Sequence, residues 1–128
     1  MSAMNEINIA QTQAIPEVVS DSSTGTLRMT GDSYPENAFE LFNGIIEWVE
    51  AFLAHSDKPL RLELHLVYMN TSSVRAMLDI FDLLEEAHKN GREVRVDWHY
   101  DKRNERIVQM AVEFREDCTF PFYITVDP

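Results

Sequence analysis

The stretch from Leu60 to Ala87 constrains this chain most. Leu60, Leu62, Leu64 and Leu66 alternate with Arg61, Glu63 and His65, the period-two pattern of a strand with one buried face. Val74, Met77, Leu78, Phe81, Leu84 and Ala87 then recur at spacings of three and four, which is helical. The period changes across four polar residues, Asn70-Thr71-Ser72-Ser73. A strand that runs straight into an amphipathic helix is a βα unit. Alternation lapses at Val67 and Tyr68, which predicts a central strand covered on both faces at its far end.

The rest of the chain repeats the theme. Residues 1–12 are polar without sustained period and read as a flexible N-terminal arm, leaving 13–128 as a single domain. Pro16–Ser20 and Thr26–Thr30 are β-prone runs around the turn-rich Asp21-Ser22-Ser23-Thr24-Gly25, a β-hairpin. Ser33 and Glu36 have capping-box spacing, with Pro35 tolerated in the first turn. They predict a helix from about Pro35 to Ala54 with Phe42, Ile45, Ile46, Val49, Phe52 and Leu53 on its apolar face. A strand over Arg92–His99, a helix carrying Ile107 to Phe114 and a strand over Pro121–Val126 complete the order. Strands alternating with three main helices give an α/β fold, a mostly parallel central sheet with an N-terminal hairpin. In such a sheet every strand-to-helix loop leaves at the carboxyl edge. Gly31–Asn37, Asn70–Ser73 and Tyr100–Asn104 therefore gather where ligands and partners of open α/β sheets approach.

Composition removes several functions. Eleven basic against twenty-two acidic residues give a net charge of −11. Phosphate backbones and anionic membranes repel such a chain, so nucleic acid is not an expected partner. No apolar run is long enough to insert in a membrane. A single cysteine, Cys118, fits a reducing, cytoplasmic setting and allows no internal disulfide. No Gly-x-Gly-x-x-Gly, P-loop or Gly-x-Ser-x-Gly is present, and no cofactor is implied. Asp97, His99 and Asp101 alternate as a metal trio could, at a spacing common by chance.

The polar groups worth weighing lie on the three loops: Asp32, Ser33 and Tyr34; Asn70, Thr71, Ser72 and Ser73, with Arg75 one turn on; and Asp101 with Lys102, Arg103 and Arg106. Two readings of the middle loop stand side by side. Asn70 or Thr71 caps the helix, or one hydroxyl is a phosphorylation site, since a helix N-terminus tolerates a phosphate. The cations of the third loop are either solvated or face an acidic partner or a phosphate next door. Asp32, Thr71, Asp101 and Arg103 could alternatively surround a small-ligand or enzymatic pocket.

A strand, a Ser/Thr-rich turn and a helix in a small acidic α/β domain resemble the anti-sigma factor antagonist (STAS) domains, though Asn70-Thr71-Ser72-Ser73 lacks the glycine of their Asp-Ser-Ser-Gly motif. Five segments are more specifically similar to the SiaC family of biofilm-regulating phosphoproteins. They are Gly31-Asp32-Ser33-Tyr34-Pro35-Glu36-Asn37, Tyr68-Met69-Asn70-Thr71-Ser72-Ser73, Leu83-Leu84-Glu85-Glu86-Ala87-His88, Trp98-His99-Tyr100-Asp101 and Phe114-Arg115-Glu116-Asp117-Cys118. The resemblance runs from about Gly25 to the C-terminus. It implies a non-enzymatic partner switch. Unphosphorylated, such a protein binds a diguanylate cyclase and raises cyclic di-GMP synthesis. A Ser/Thr kinase modifies the threonine aligned with Thr71, and a PP2C-like phosphatase reverses the mark.

Overall fold

A computed structural model describes residues 5–128. In chain order it contains β1 (Asn8–Ile9), β2 (Glu17–Asp21), β3 (Thr26–Ser33), α1 (Ala38–His55), β4 (Leu60–Met69), α2 (Thr71–Lys89), β5 (Val94–Tyr100), α3 (Glu105–Glu116) and β6 (Phe122–Val126). The strands form one six-stranded sheet in sequence order. β1, β2 and β3 pair antiparallel, and β3 through β6 pair parallel. This is the expected α/β domain with an N-terminal hairpin, a mostly parallel sheet and three helices. The hairpin turns at Gly25, whose φ of +72° favours glycine; a Cβ there would meet the Pro59 carbonyl oxygen at 2.1 Å.

Because β3, β4, β5 and β6 follow one another without reversal, each right-handed crossover places its helix on the same side. Burial agrees. Leu27, Leu60, Leu62, Leu64, Val96 and Trp98 are all fully buried on the helix side, together with Phe42, Ile45, Met77 and Ile80 from the helices. The opposite face is open and polar: Arg28, Arg61, Arg95 and Tyr123 are exposed along it. There Asp97 is covered by two guanidiniums, with Arg61 Nε at 3.0 Å and Arg95 Nη2 at 2.7 Å, and Arg95 stacks 4.9 Å from the Tyr123 ring centroid. Asp97 is thus held by arginines rather than gathered with His99 and Asp101.

Three expectations are corrected. First, β4 is not covered on both faces at its end, because Val67 and Tyr68 are each 49% exposed. Gly31 pairs with Leu66 and Asp32 with Tyr68, so Val67 has no opposite residue. This bulge puts two successive side chains outward and returns Met69 to the core, which breaks alternation without a second layer. Second, Ser33 and Glu36 make no capping box. Ser33 is the last residue of β3, and the cap of α1 is Asn37, whose side chain accepts from the Glu40 N–H at 3.1 Å. Third, the arm is anchored where it is described. Asn8 and Ile9 pair with Val19 and Val18, and the Glu6 carboxylate accepts from Ser20 Oγ, Ser22 N and the Trp48 indole N–H at 2.8, 2.8 and 3.1 Å. Residues 1–4 of that arm lie outside the described residues.

Candidate docking site at the carboxyl edge

All three helices begin at the carboxyl edge, each capped by asparagine. Asn37, Asn70 and Asn104 accept through Oδ1 from the backbone N–H three residues on, at 3.1, 2.9 and 3.1 Å. Asparagine suits this position because its short amide reaches the orphan donors of the first turn. Asn104 also donates through Nδ2 to the Val67 carbonyl at 2.9 Å, tying the β5–α3 loop to the bulged end of β4. Sequence reasoning missed this residue; its signal was the third Asn placed just before an apolar helical period.

The four-residue junction divides its labour. Asn70 caps, and its own N–H donates to the Ser33 carbonyl at 2.9 Å. Ser73 is fully buried and donates to the same carbonyl at 3.0 Å, while its oxygen lies 2.8 Å from Ser33 Oγ. A serine hydroxyl has one proton. With that of Ser73 committed to the carbonyl, Ser33 Oγ is the donor in the serine pair. Ser33 and Ser73, two residues expected at a partner surface, are therefore interior bolts between β3 and α2. Thr71 and Ser72, the first two residues of α2, point to solvent. Among the described residues no hydrogen bond engages the Thr71 hydroxyl.

Several large apolar side chains are exposed at or near this edge. Tyr68, three residues before Thr71, meets the half-buried Tyr34 edge-on, with ring centroids 5.8 Å apart. Phe39 in the first turn of α1 is 76% exposed, and Val67 and Leu78 are also exposed. Arg75 and Leu78 follow Thr71 at helical spacings of four and three, extending one exposed stripe along α2.

The third loop closes on itself. Arg103 donates to Asp101 from its backbone N–H and Nε, and Nη2 lies 2.8 Å from Asp101 Oδ2. The Arg103 side-chain and backbone bonds hold the Asp101 carboxyl far below the usual carboxylate range. Among the described residues no hydrogen bond or ion pair joins this loop to Thr71 or Arg75, and the Asp32 side chain, opposite Tyr68 in the sheet register, makes none either. The four residues considered for a pocket do not line the groove at this edge. That groove, about 580 Å³, lies between Ile9, Ala14 and Ile15 on one side and Pro35, Asn37 and Leu41 on the other.

The profile of the SiaC family regulatory phosphoproteins matches residues 9–127. The chain belongs to this family. It is 57% identical over 121 residues to an uncharacterized protein of Pseudomonas aeruginosa strain UCBPP-PA14, covering 94% of this chain and 96% of that one. The crystal structure of apo-SiaC from Pseudomonas aeruginosa superposes with a TM-score of 0.91 at 55% identity, over 95% of this chain and 99% of that one. A third match is in a crystal structure of the diguanylate cyclase SiaD in complex with its activator SiaC from the same organism. Its TM-score is 0.92 at 56% identity, covering 94% of this chain and 99% of the matched one. As a member of the SiaC family, the chain is a regulatory phosphoprotein with the fold of those structures.

Proposed function

We propose that this chain is a non-enzymatic switch that docks on and activates a diguanylate cyclase while Thr71 is unmodified. A Ser/Thr kinase phosphorylates Thr71 and a PP2C-like phosphatase restores it. The observation that carries this reading is the geometry of Thr71: exposed at the first position of α2, relieved of capping by Asn70, and flanked by exposed Tyr68 and Leu78. A phosphate there meets the unpaired N–H groups and positive end of a nineteen-residue helix, so the fold accepts it. The same phosphate places nearly two negative charges in an apolar surface, and a partner that had covered that surface would have to desolvate them. The complex of SiaD with its activator SiaC supports a cyclase as the partner. Tyr34, Tyr68, Thr71, Ser72 and Arg75 form the centre of the proposed docking surface. Asp101 and Arg103 stand at its margin.

The test uses the purified chain and its cognate cyclase. Thr71→Ala should bind and raise cyclic di-GMP synthesis as the unmodified chain does. Thr71→Asp should keep the fold, by circular dichroism, and lose both. Equal activation by the two variants would show that Thr71 is not the switch. With the kinase and ATP, intact mass should rise by one phosphate in the wild type and stay fixed in Thr71→Ala.

A further inference from the structure

One edge of the sheet is left unfinished. β6 pairs with β5 on one side, and among the described residues nothing pairs with it on the other. Natural edge strands are blunted by charge, proline or a bulge. Phe122-Tyr123-Ile124-Thr125-Val126 carries none of these within the strand. Tyr123 and Val126 are 49% and 45% exposed.

The helix above this edge has a matching flank. Ile107, Ala111 and Phe114 of α3 are buried in the core. Val108 and Val112 are only half-buried and are not packed on that core. On the helical wheel they share a side with Glu105 and Arg115, opposite to Met110, which does pack inward. Neither Glu105 nor Arg115 has an ion-pair partner among the described residues. The flank reads Glu105, Val108, Val112, Arg115, with intervals of three, four and three. Reversed end for end, it has the same spacing with opposite charges at its ends. Two copies of α3 laid antiparallel would bring Val108 opposite Val112 and Glu105 opposite Arg115, twice over.

We propose that this edge is an isologous interface with a second copy of the chain, in which β6 strands pair antiparallel and α3 helices pack side by side. A second copy is favoured over a foreign segment because the flank is complementary to itself under a two-fold rotation, as a symmetric dimer requires. A five-residue strand alone is too small for a stable interface of roughly 1,600 Å²; the α3 flank supplies the additional apolar contact. Thr71 follows β4, two strands inward, and stays exposed on both copies, so the interface is separate from the proposed docking surface.

The experiment is sedimentation velocity on the full chain over rising concentration. The wild type should dimerise. Arg115→Glu sets like charges opposite each other and should weaken dimerisation by roughly tenfold or more. Glu105→Arg with Arg115→Glu should restore it, because the swap preserves complementarity. All four residues of the flank lie outside the core, and circular dichroism should show every variant folded. A wild type that stays monomeric at every concentration overturns the proposal. So does a dimer indifferent to Arg115→Glu, or a double variant no better than the single.

Discussion

At the level of single residues, the start of α2 gives Asn70, Thr71 and Ser73 three different surroundings. The Asn70 amide satisfies a first-turn N–H at 2.9 Å. The Ser73 hydroxyl is buried against Ser33, and the Thr71 hydroxyl is left to solvent. The cap and the exposed hydroxyl are thereby separated between two adjacent residues. Asn70→Ala should lower stability by about 1 kcal/mol, the usual worth of an N-cap, while Thr71→Ala should change it by less than about 0.5 kcal/mol. Urea denaturation of the two variants measures both. Comparable losses would mean that Thr71 also caps. From the sequence, capping by Asn70 and by Thr71 were equally open, because both residue types accept hydrogen bonds. Only the backbone geometry, with Asn70 extended at ψ 173° and Thr71 already helical, assigns the cap.

At the level of elements, β4 shows how a local irregularity misleads a periodic reading. Its first seven residues alternate faithfully, and Leu60, Leu62, Leu64 and Leu66 are buried as the pattern requires. The bulge at Val67 then displaces the phase by one residue. A strand buried on both faces and a one-sided strand with a bulge give the same apolar run, so periodicity could not separate them. The structure predicts opposite outcomes for neighbouring substitutions. Val67→Lys leaves its ammonium in water and should cost less than about 1 kcal/mol. Leu66→Lys buries an unpaired cation and should cost several kcal/mol or prevent folding. Thermal denaturation distinguishes them, and an unfolded Val67→Lys would point to a covered second face. The end of α2 was legible in full. Asn90-Gly91 closes it as expected, with the Gly91 N–H donating to the His88 carbonyl at 3.0 Å and that of Arg92 to Ala87 at 3.0 Å.

At the level of the whole molecule, two carboxylates tie remote segments to the body. Glu85 on α2 accepts from the hydroxyl and N–H of Thr119, at 2.6 and 2.7 Å, and fixes the loop before β6. The Thr119 bonds hold its pKa below the ordinary 4.5. Burial raises that of Glu6, but the bonds from Ser22, Ser20 and Trp48 together outweigh it and leave the value lowered. A depressed carboxylate contributes stability above its unfolded pKa and loses it as pH falls through the folded value. The chain should therefore weaken in acid as the pH drops below about 4.5. Glu85→Gln removes one titrating tie, so its urea midpoint should fall less steeply with acid than that of the wild type. Identical slopes would mean that Glu85 contributes nothing to the acid response.

The sequence by itself determined the element order, the parallel arrangement and the convergence of three polar loops on one edge. Each rests on local period and chain connectivity, which are properties of neighbouring residues. The motif resemblance to the SiaC family was legible for the same reason. Tertiary structure alone decided which polar residues face water. Ser72 and Ser73 are adjacent and chemically identical, yet one is exposed and the other is fully buried against β3, forty residues away in sequence. It also decided that Asn8 and Ile9 join the sheet and that, among the described residues, one sheet face stays open and the outer edge of β6 is unpaired. Those outcomes depend on which distant segment comes to lie against each surface, and no local pattern encodes that.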